Sequence, residues 1–216
     1  MAETTPLDVV MVGPFPSDAT RIQGGVQASL YGLGRSLIGR AEIRGVRVLA
    51  TPVAPTAAVT RDRVDDIDVT RLDTPYRFLV SAALRLPLVL ETIAAAGEPI
   101  VHLHGTGIVQ ALVLVVCLAK KIPVAWTMHG ITEKEMREAR RRTGGLKAWL
   151  RWALYAGCER LQLRLGPEIV VDTPYVLREI AGRTRAVPQS IPQGIFPEEM
   201  TAAVDPDRRA PVVVSL

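Results

Sequence analysis

The sequence predicts a doubly wound α/β protein: a mainly parallel sheet with helices on both faces. Three observations carry this. Short β-branched runs, each ended by Gly or Pro, alternate with helix-period segments along most of the chain. Hydrophobic residues make up 48% of the 216 residues but aromatics only 5%, so Ala, Val, Leu and Ile must build the core. Charged residues are 22%, which excludes a disordered chain.

The elements follow in order. The run 7–12 ends at Gly13-Pro14 and reads as a buried strand. Residues 25–40 place Val26, Leu30, Leu33, Leu37 and Ile38 at helical spacings. A second strand spans 46–50. Residues 52–66, rich in Pro, Thr and Asp, read as loop, and 67–72 as a short strand. A helix over 78–96 contains Pro87 and stops at Gly97. Strands at 99–104 and 123–128 flank a helix at 107–119. The stretch 133–165 is helical with a break at Gly144-Gly145. Residues 168–171 form a strand, Thr173-Pro174 open a helix to about 181, and 185–187 read as a last short strand. Residues 210–216 have the pattern of one more strand, behind a Pro- and Asp-containing linker, and read either as the start of a second domain or as an edge strand completing this sheet. This predicts a first domain over 1–200 and a linker and first strand of a second domain over 201–216.

Charge and cysteine content narrow the function classes. Lys and Arg number 26 against 22 Asp and Glu, a formal net charge of +4 that does not by itself point to nucleic acid. Cys117 and Cys158 cannot form a disulfide framework and read as reduced core residues of a cytosolic protein. The first residues lack the basic region of a secretory signal. The longest apolar run, 108–119, is broken only by Gln110 and falls short of the ~20 residues of a membrane span.

Ligands of parallel sheets sit beyond the carboxyl ends of the strands. After the first strand, Gly24-Gly25 open a helix. Glycines there admit a close ligand, and the free N–H groups of a helix start favour an anion such as phosphate; turn chemistry alone is the other reading. The segment is neither a Walker loop nor a dinucleotide fingerprint. All three histidines lie at strand ends. His102 and His104 share one face of a strand, and His129, beside Gly130, follows the next. They read as a three-imidazole metal site, as hydrogen-bonding groups for a polar ligand, or as locally satisfied packing. Glu133 and Glu135 read as solvated helix-start carboxylates. No complete set of catalytic groups is present.

Between Lys134 and Arg164 lie nine Lys or Arg against three Glu. Leu146, Trp149, Leu150, Ala153, Leu154 and Leu161 form a stripe, with Lys147, Arg151 and Arg160 off it. Such a helix either lies on an anionic membrane, with Arg140, Arg141, Arg142, Lys147 and Arg151 in contact, or faces the core with its cations solvated. RNA binding is a third reading, without a recognised RNA module.

The ordered set of motifs resembles the N-terminal domain of a family-4 glycosyltransferase of the GT-B fold. The residues are Gly13-Pro14-Phe15-Pro16, Gly24-Gly25-Val26-Gln27, Val101-His102-Leu103-His104-Gly105, Thr127-Met128-His129-Gly130, Val171-Asp172-Thr173-Pro174-Tyr175-Val176 and Ile191-Pro192-Gln193-Gly194-Ile195. The resemblance implies one of two Rossmann-like domains facing a cleft, this one binding the acceptor and the other the nucleotide-sugar. It implies sugar transfer with retention; the basic amphipathic stretch 134–164 adds a lipid-linked or cell-envelope glycan as acceptor, at the inner face of a membrane. It implies no cofactor and no metal, the nucleotide-sugar being a substrate. By resemblance Gly24 and Gly25 approach donor phosphates and acceptor, and His129 is the catalytic residue, contacting the donor sugar near the reacting centre, with Gly130 beside it and His104 as a further binding residue. Gln193 stands where the family has Asn and carries no assigned role. A non-catalytic subunit of the same fold, needing a separate partner, and a histidine-based metal hydrolase are the alternatives.

Overall fold

A computed structural model describes residues 6–51, 58–72 and 79–191. Among them, β1 (Leu7–Gly13), β2 (Ile43–Ala50), β3 (Thr60–Val64), β4 (Ile67–Arg71), β5 (Pro99–His104), β6 (Val124–Met128), β7 (Glu168–Val171) and β8 (Gln189–Ser190) form one eight-stranded sheet. Its order is β3-β4-β2-β1-β5-β6-β7-β8. All pairings are parallel except the β3–β4 hairpin. The helices are α1 (Gly25–Leu37), α2 (Leu79–Ala94), α3 (Ile108–Ala119), α4 (Thr132–Thr143), α5 (Gly145–Leu165) and α6 (Pro174–Ile180).

Strand side chains alternate faces with period two, and the core divides accordingly. Val10 and Val12 of β1 join a cluster completed by α2, α3, α5 and α6. Val9 and Met11 join a second cluster under α1, with Val46, Val48 and Ile67. Helices therefore cover both faces, which is why β1 is apolar at consecutive positions rather than alternating. The apolar run 108–119 is α3, whose Val113, Leu114 and Cys117 are buried in the first cluster. No helix among the described residues is long and apolar enough to cross a membrane.

Two expectations are corrected. Part of the expected 52–66 loop is strand β3, because at a sheet edge solvent takes the outward groups and Arg61, Asp62 and Arg63 need no burial. A two-residue turn at Asp65-Asp66 joins it to β4, with Asp65 at φ 50°, a conformation Asp tolerates. The strand expected at 185–187 lies instead at Gln189–Ser190. Thr184 Oγ1 accepts the Ala186 N–H at 3.2 Å, a local turn bond that competes with pairing. Residues 192–216, with all of the Ile191–Ile195 segment but Ile191, the 201–216 linker and the expected last strand, lie outside the described residues.

The approach of β1 to β5 depends on Gly13. A Cβ there would come within 2.8 Å of Leu30 Cδ1 and 2.9 Å of His104 Cβ, and the latter is not the loose end of a side chain. Gly13→Ala is expected to destabilise the fold by about 1–3 kcal/mol, read from the midpoint of a urea titration; an unchanged midpoint would show that β1 and β5 can separate freely.

Candidate functional site

Strand register builds the site. His104 on β5 lies opposite Thr127 on β6, and Met128 on β6 lies opposite Val171 on β7. The next residues of the last two strands, His129 and Asp172, therefore leave the sheet side by side. His129 Nδ1 is 3.4 Å from Asp172 Oδ2. On its other side His129 Nε2 is 3.2 Å from His104 Nδ1. A carboxylate only accepts, so His129 carries its proton on Nδ1 and presents Nε2 as an acceptor. His104 must then donate from Nδ1.

The His104 and His129 rings stack with centroids 5.5 Å apart, and His102 lies 4.3 Å from His104. His102 Nε2 turns to Thr127 Oγ1 at 2.7 Å. The imidazoles thus form a row rather than converging on one point, and no group of three or more metal-ligating side chains is placed to share an ion among the described residues. The frame around the row is fixed. Gln110 Nε2 donates to the His104 carbonyl at 3.3 Å, and Trp126 Nε1 donates to the Gly105 carbonyl at 2.7 Å.

Burial sets the protonation of the row. It lowers His102 to about 4 and His104 well below its usual 6.5, each helped by a neighbouring imidazole. Burial also lowers His129, but there the Asp172 carboxylate pulls the other way. All three rings are neutral at pH 7, and only His129 has a carboxylate to support a proton.

His104, His129 and Gly130 are therefore brought together as expected. Gly24 and Gly25 lie on the same carboxyl edge, where α1 starts beyond β1. Gly24 has φ 89°, which glycine alone adopts readily, and a Cβ on either glycine would meet nothing within 4 Å. The space over this helix start is open. Arg140, Arg141, Arg142, Lys147 and Arg151 lie elsewhere, at the far end of the α4–α5 pair.

Sequence reasoning missed Asp172, although it directly follows a strand, the position where ligand-facing groups were sought. It also misread Glu133. That carboxylate is buried, not solvated, and meets Arg160 at 2.6 Å, Arg137 at 3.0 Å and Arg183 at 3.0 Å, with Arg160 foremost in holding it below its usual value. Glu159 beneath it is fully buried, accepts the Glu133 N–H at 3.0 Å, and is pushed up by burial. Glu135 is exposed, but its Oε1 lies 2.5 Å from where a Gly130 Cβ would stand, so it folds back over the loop beside His129.

No family model and no curated protein matches the chain. Solved structures do. Apo UGT2 of Phytolacca americana aligns at TM-score 0.52 and 12% identity over 88% of this chain and 52% of that one. The α,α-trehalose-phosphate synthase (UDP-forming) of Burkholderia vietnamiensis aligns at 0.53 and 12%, over 98% and 54%. A UDP-glucosyltransferase of Polygonum tinctorium, capable of glucosylating indoxyl, aligns at 0.53 and 10%, over 93% and 55%. The fold is that of one half of a GT-B glycosyltransferase. The chain spans about half the length of the solved structures it matches.

Two measurements check the site. Removing the carboxylate charge with Asp172→Asn is expected to lower the His129 pKa further, read by NMR titration of its ring; an unchanged value would mean the pair does not form. The burial of His102 has a sign in folding. The unfolded chain takes up a proton near pH 6.5 that the folded chain refuses until about pH 4. Stability is therefore full above pH 6.5 and falls as pH drops toward 4, by about 3 kcal/mol from this group. Urea midpoints measured across that range should fall, and His102→Gln should make the fall shallower.

Proposed function

We propose that the chain is the acceptor-side half of a glycosyltransferase that moves a sugar from a nucleotide-sugar donor to a lipid-linked or cell-envelope glycan. The observation that carries this reading is the His104–His129–Asp172 row set on the carboxyl edge of a sheet whose fold recurs in glycosyltransferases. Transfer from a nucleotide-sugar requires stabilisation of a leaving diphosphate and of a carbon that gains positive charge. Gly24 and Gly25 supply an open helix start suited to phosphate. Base recognition and most of the phosphate neutralisation belong to a second α/β domain, which completes the cleft.

The protonation of the row bears on mechanism. His129 has both ring nitrogens engaged, by Asp172 and by His104. A general base needs a free nitrogen within reach of the proton it removes. We therefore assign His129 a binding role, through its backbone and that of Gly130 and through the face of its ring, on the donor sugar. That role suits the retaining chemistry implied by the family-4 resemblance, in which this half need supply no base.

The neighbours' names specify UDP, so UDP-glucose is the first donor to try. Residues 1–216 alone are expected to release UDP at far below the ~1–1,000 s⁻¹ of ordinary enzymes, whereas a longer polypeptide in which a second domain follows turns over with an acceptor. In that polypeptide His129→Ala is expected to cost about tenfold or more in kcat/KM. Ordinary turnover by residues 1–216 alone, or no nucleotide release by the longer polypeptide from any nucleotide-sugar, would overturn the reading.

A further inference from the structure

The α4–α5 hairpin stands up beside the strand ends. The Glu133 N–H binds Glu159, so Glu159 is level with the start of α4, five residues beyond the end of β6. The part of α5 before Glu159 therefore rises past the carboxyl edge of the sheet. Its buried residues, Ala156, Glu159, Gln162 and Leu163, all lie in its second half.

The half that stands clear is not a polar helix. Leu146 is 72% exposed, Leu150 54% and Trp149 47%. Their spacing puts them on one face. The expected stripe is thus real, but only Leu154 of its large members packs against the core. Exposed cations lie close to it in sequence: Arg141 and Arg142 at the end of α4, and Lys147 and Arg151 on α5. The nearby carboxylate, Glu138, is already held by Arg141 and Arg142 at 3.8 and 3.3 Å. Further along α5, roughly 15 Å from Leu150 at 1.5 Å per residue, a cavity of about 560 Å³ is lined by Lys134, Arg137, Arg160, Arg164 and Arg183 together with Glu133. Glu133 and Glu159 share three of those guanidiniums, Lys134 pairs with Glu179 at 2.6 Å, and Arg164 has no ion pair among the described residues.

We propose that this hairpin docks on a lipid surface carrying anionic headgroups. Leu146, Trp149 and Leu150 enter the headgroup boundary, and the cationic cavity receives a headgroup phosphate. Apolar side chains flanked by cations match a surface that is negative outside and apolar beneath. Tryptophan suits that boundary, having an apolar ring and a polar N–H. A second copy of the chain fits worse, since a two-fold contact would set one basic rim against the other. The proposal rests on the acceptor-side reading only for its purpose, delivery of a lipid-linked acceptor to the strand ends; the binding itself requires no transfer.

The experiment is sedimentation of the chain with vesicles of phosphatidylcholine alone and of phosphatidylcholine mixed with phosphatidylglycerol. Binding is expected only to the mixture, with a blue shift of tryptophan emission that Trp149→Phe diminishes, and with loss of binding at high salt. Leu146→Ser with Leu150→Ser should weaken partitioning by about tenfold or more. Lys147→Glu with Arg151→Glu should do the same, and Arg164→Glu should lower it by about fivefold. These side chains are exposed, so thermal melts should stay unchanged. Absence of binding, equal binding to neutral vesicles, or indifference to the leucine pair would overturn the proposal. So would a concentration-dependent dimer that the leucine pair abolishes, which would assign the face to a second copy. No outcome here depends on sugar transfer, so failure of the docking face and failure of the transferase reading are separable.

Discussion

A carboxylate can accept hydrogen bonds but not donate them, and the site depends on that asymmetry at Asp172. Placed after β7 beside the end of β6, it fixes the proton of His129 on Nδ1. The other nitrogen of His129 must then accept, and His104 must donate to it. A direction of hydrogen bonding is thereby imposed across the ends of three adjacent strands. The parallel register makes this possible, because equivalent residues of neighbouring strands leave the sheet at one level. Burial then keeps the row uncharged at neutral pH, because desolvation disfavours an imidazolium.

Much of this was legible in the sequence, for identifiable reasons. Continuous apolar runs rich in β-branched residues, such as Val9 to Val12, belong to strands buried on both faces, and periodicity reveals them without knowledge of their neighbours. The breaks at Gly97 and at Gly144-Gly145 fall where the backbone turns left-handed, with φ of 74°, 65° and 81°. The clustering of the histidines followed from the rule that strand ends converge. Asp172 was hidden because its partner lies 43 positions away in sequence, and one carboxylate after one strand announces nothing by itself. β3 was hidden because an edge strand lacks the apolar signal of a buried one.

The α4–α5 hairpin shows where composition stops short. Its charge pattern fits a core-facing stripe and a surface-facing stripe equally well. Height decides between them: α5 is about 30 Å long at 1.5 Å per residue, whereas β7 is four residues. The start of α5 has no sheet beneath it, so Leu146, Trp149 and Leu150 remain outside. The buried Glu133 and Glu159 serve this geometry. Buried carboxylates are costly unless paired and hydrogen-bonded, and here Arg137, Arg160 and Arg183 supply the pairing that ties α4 and α5 to the turn after α6.

The ring tautomers test the account most directly. Long-range ¹H–¹⁵N correlation spectra at neutral pH report which nitrogen of each imidazole bears the proton. The account requires His104 and His129 both to be neutral and both protonated on Nδ1. A proton on Nε2 of neutral His129 would contradict it, because the ring would then offer Asp172 a lone pair where the carboxylate demands a donor.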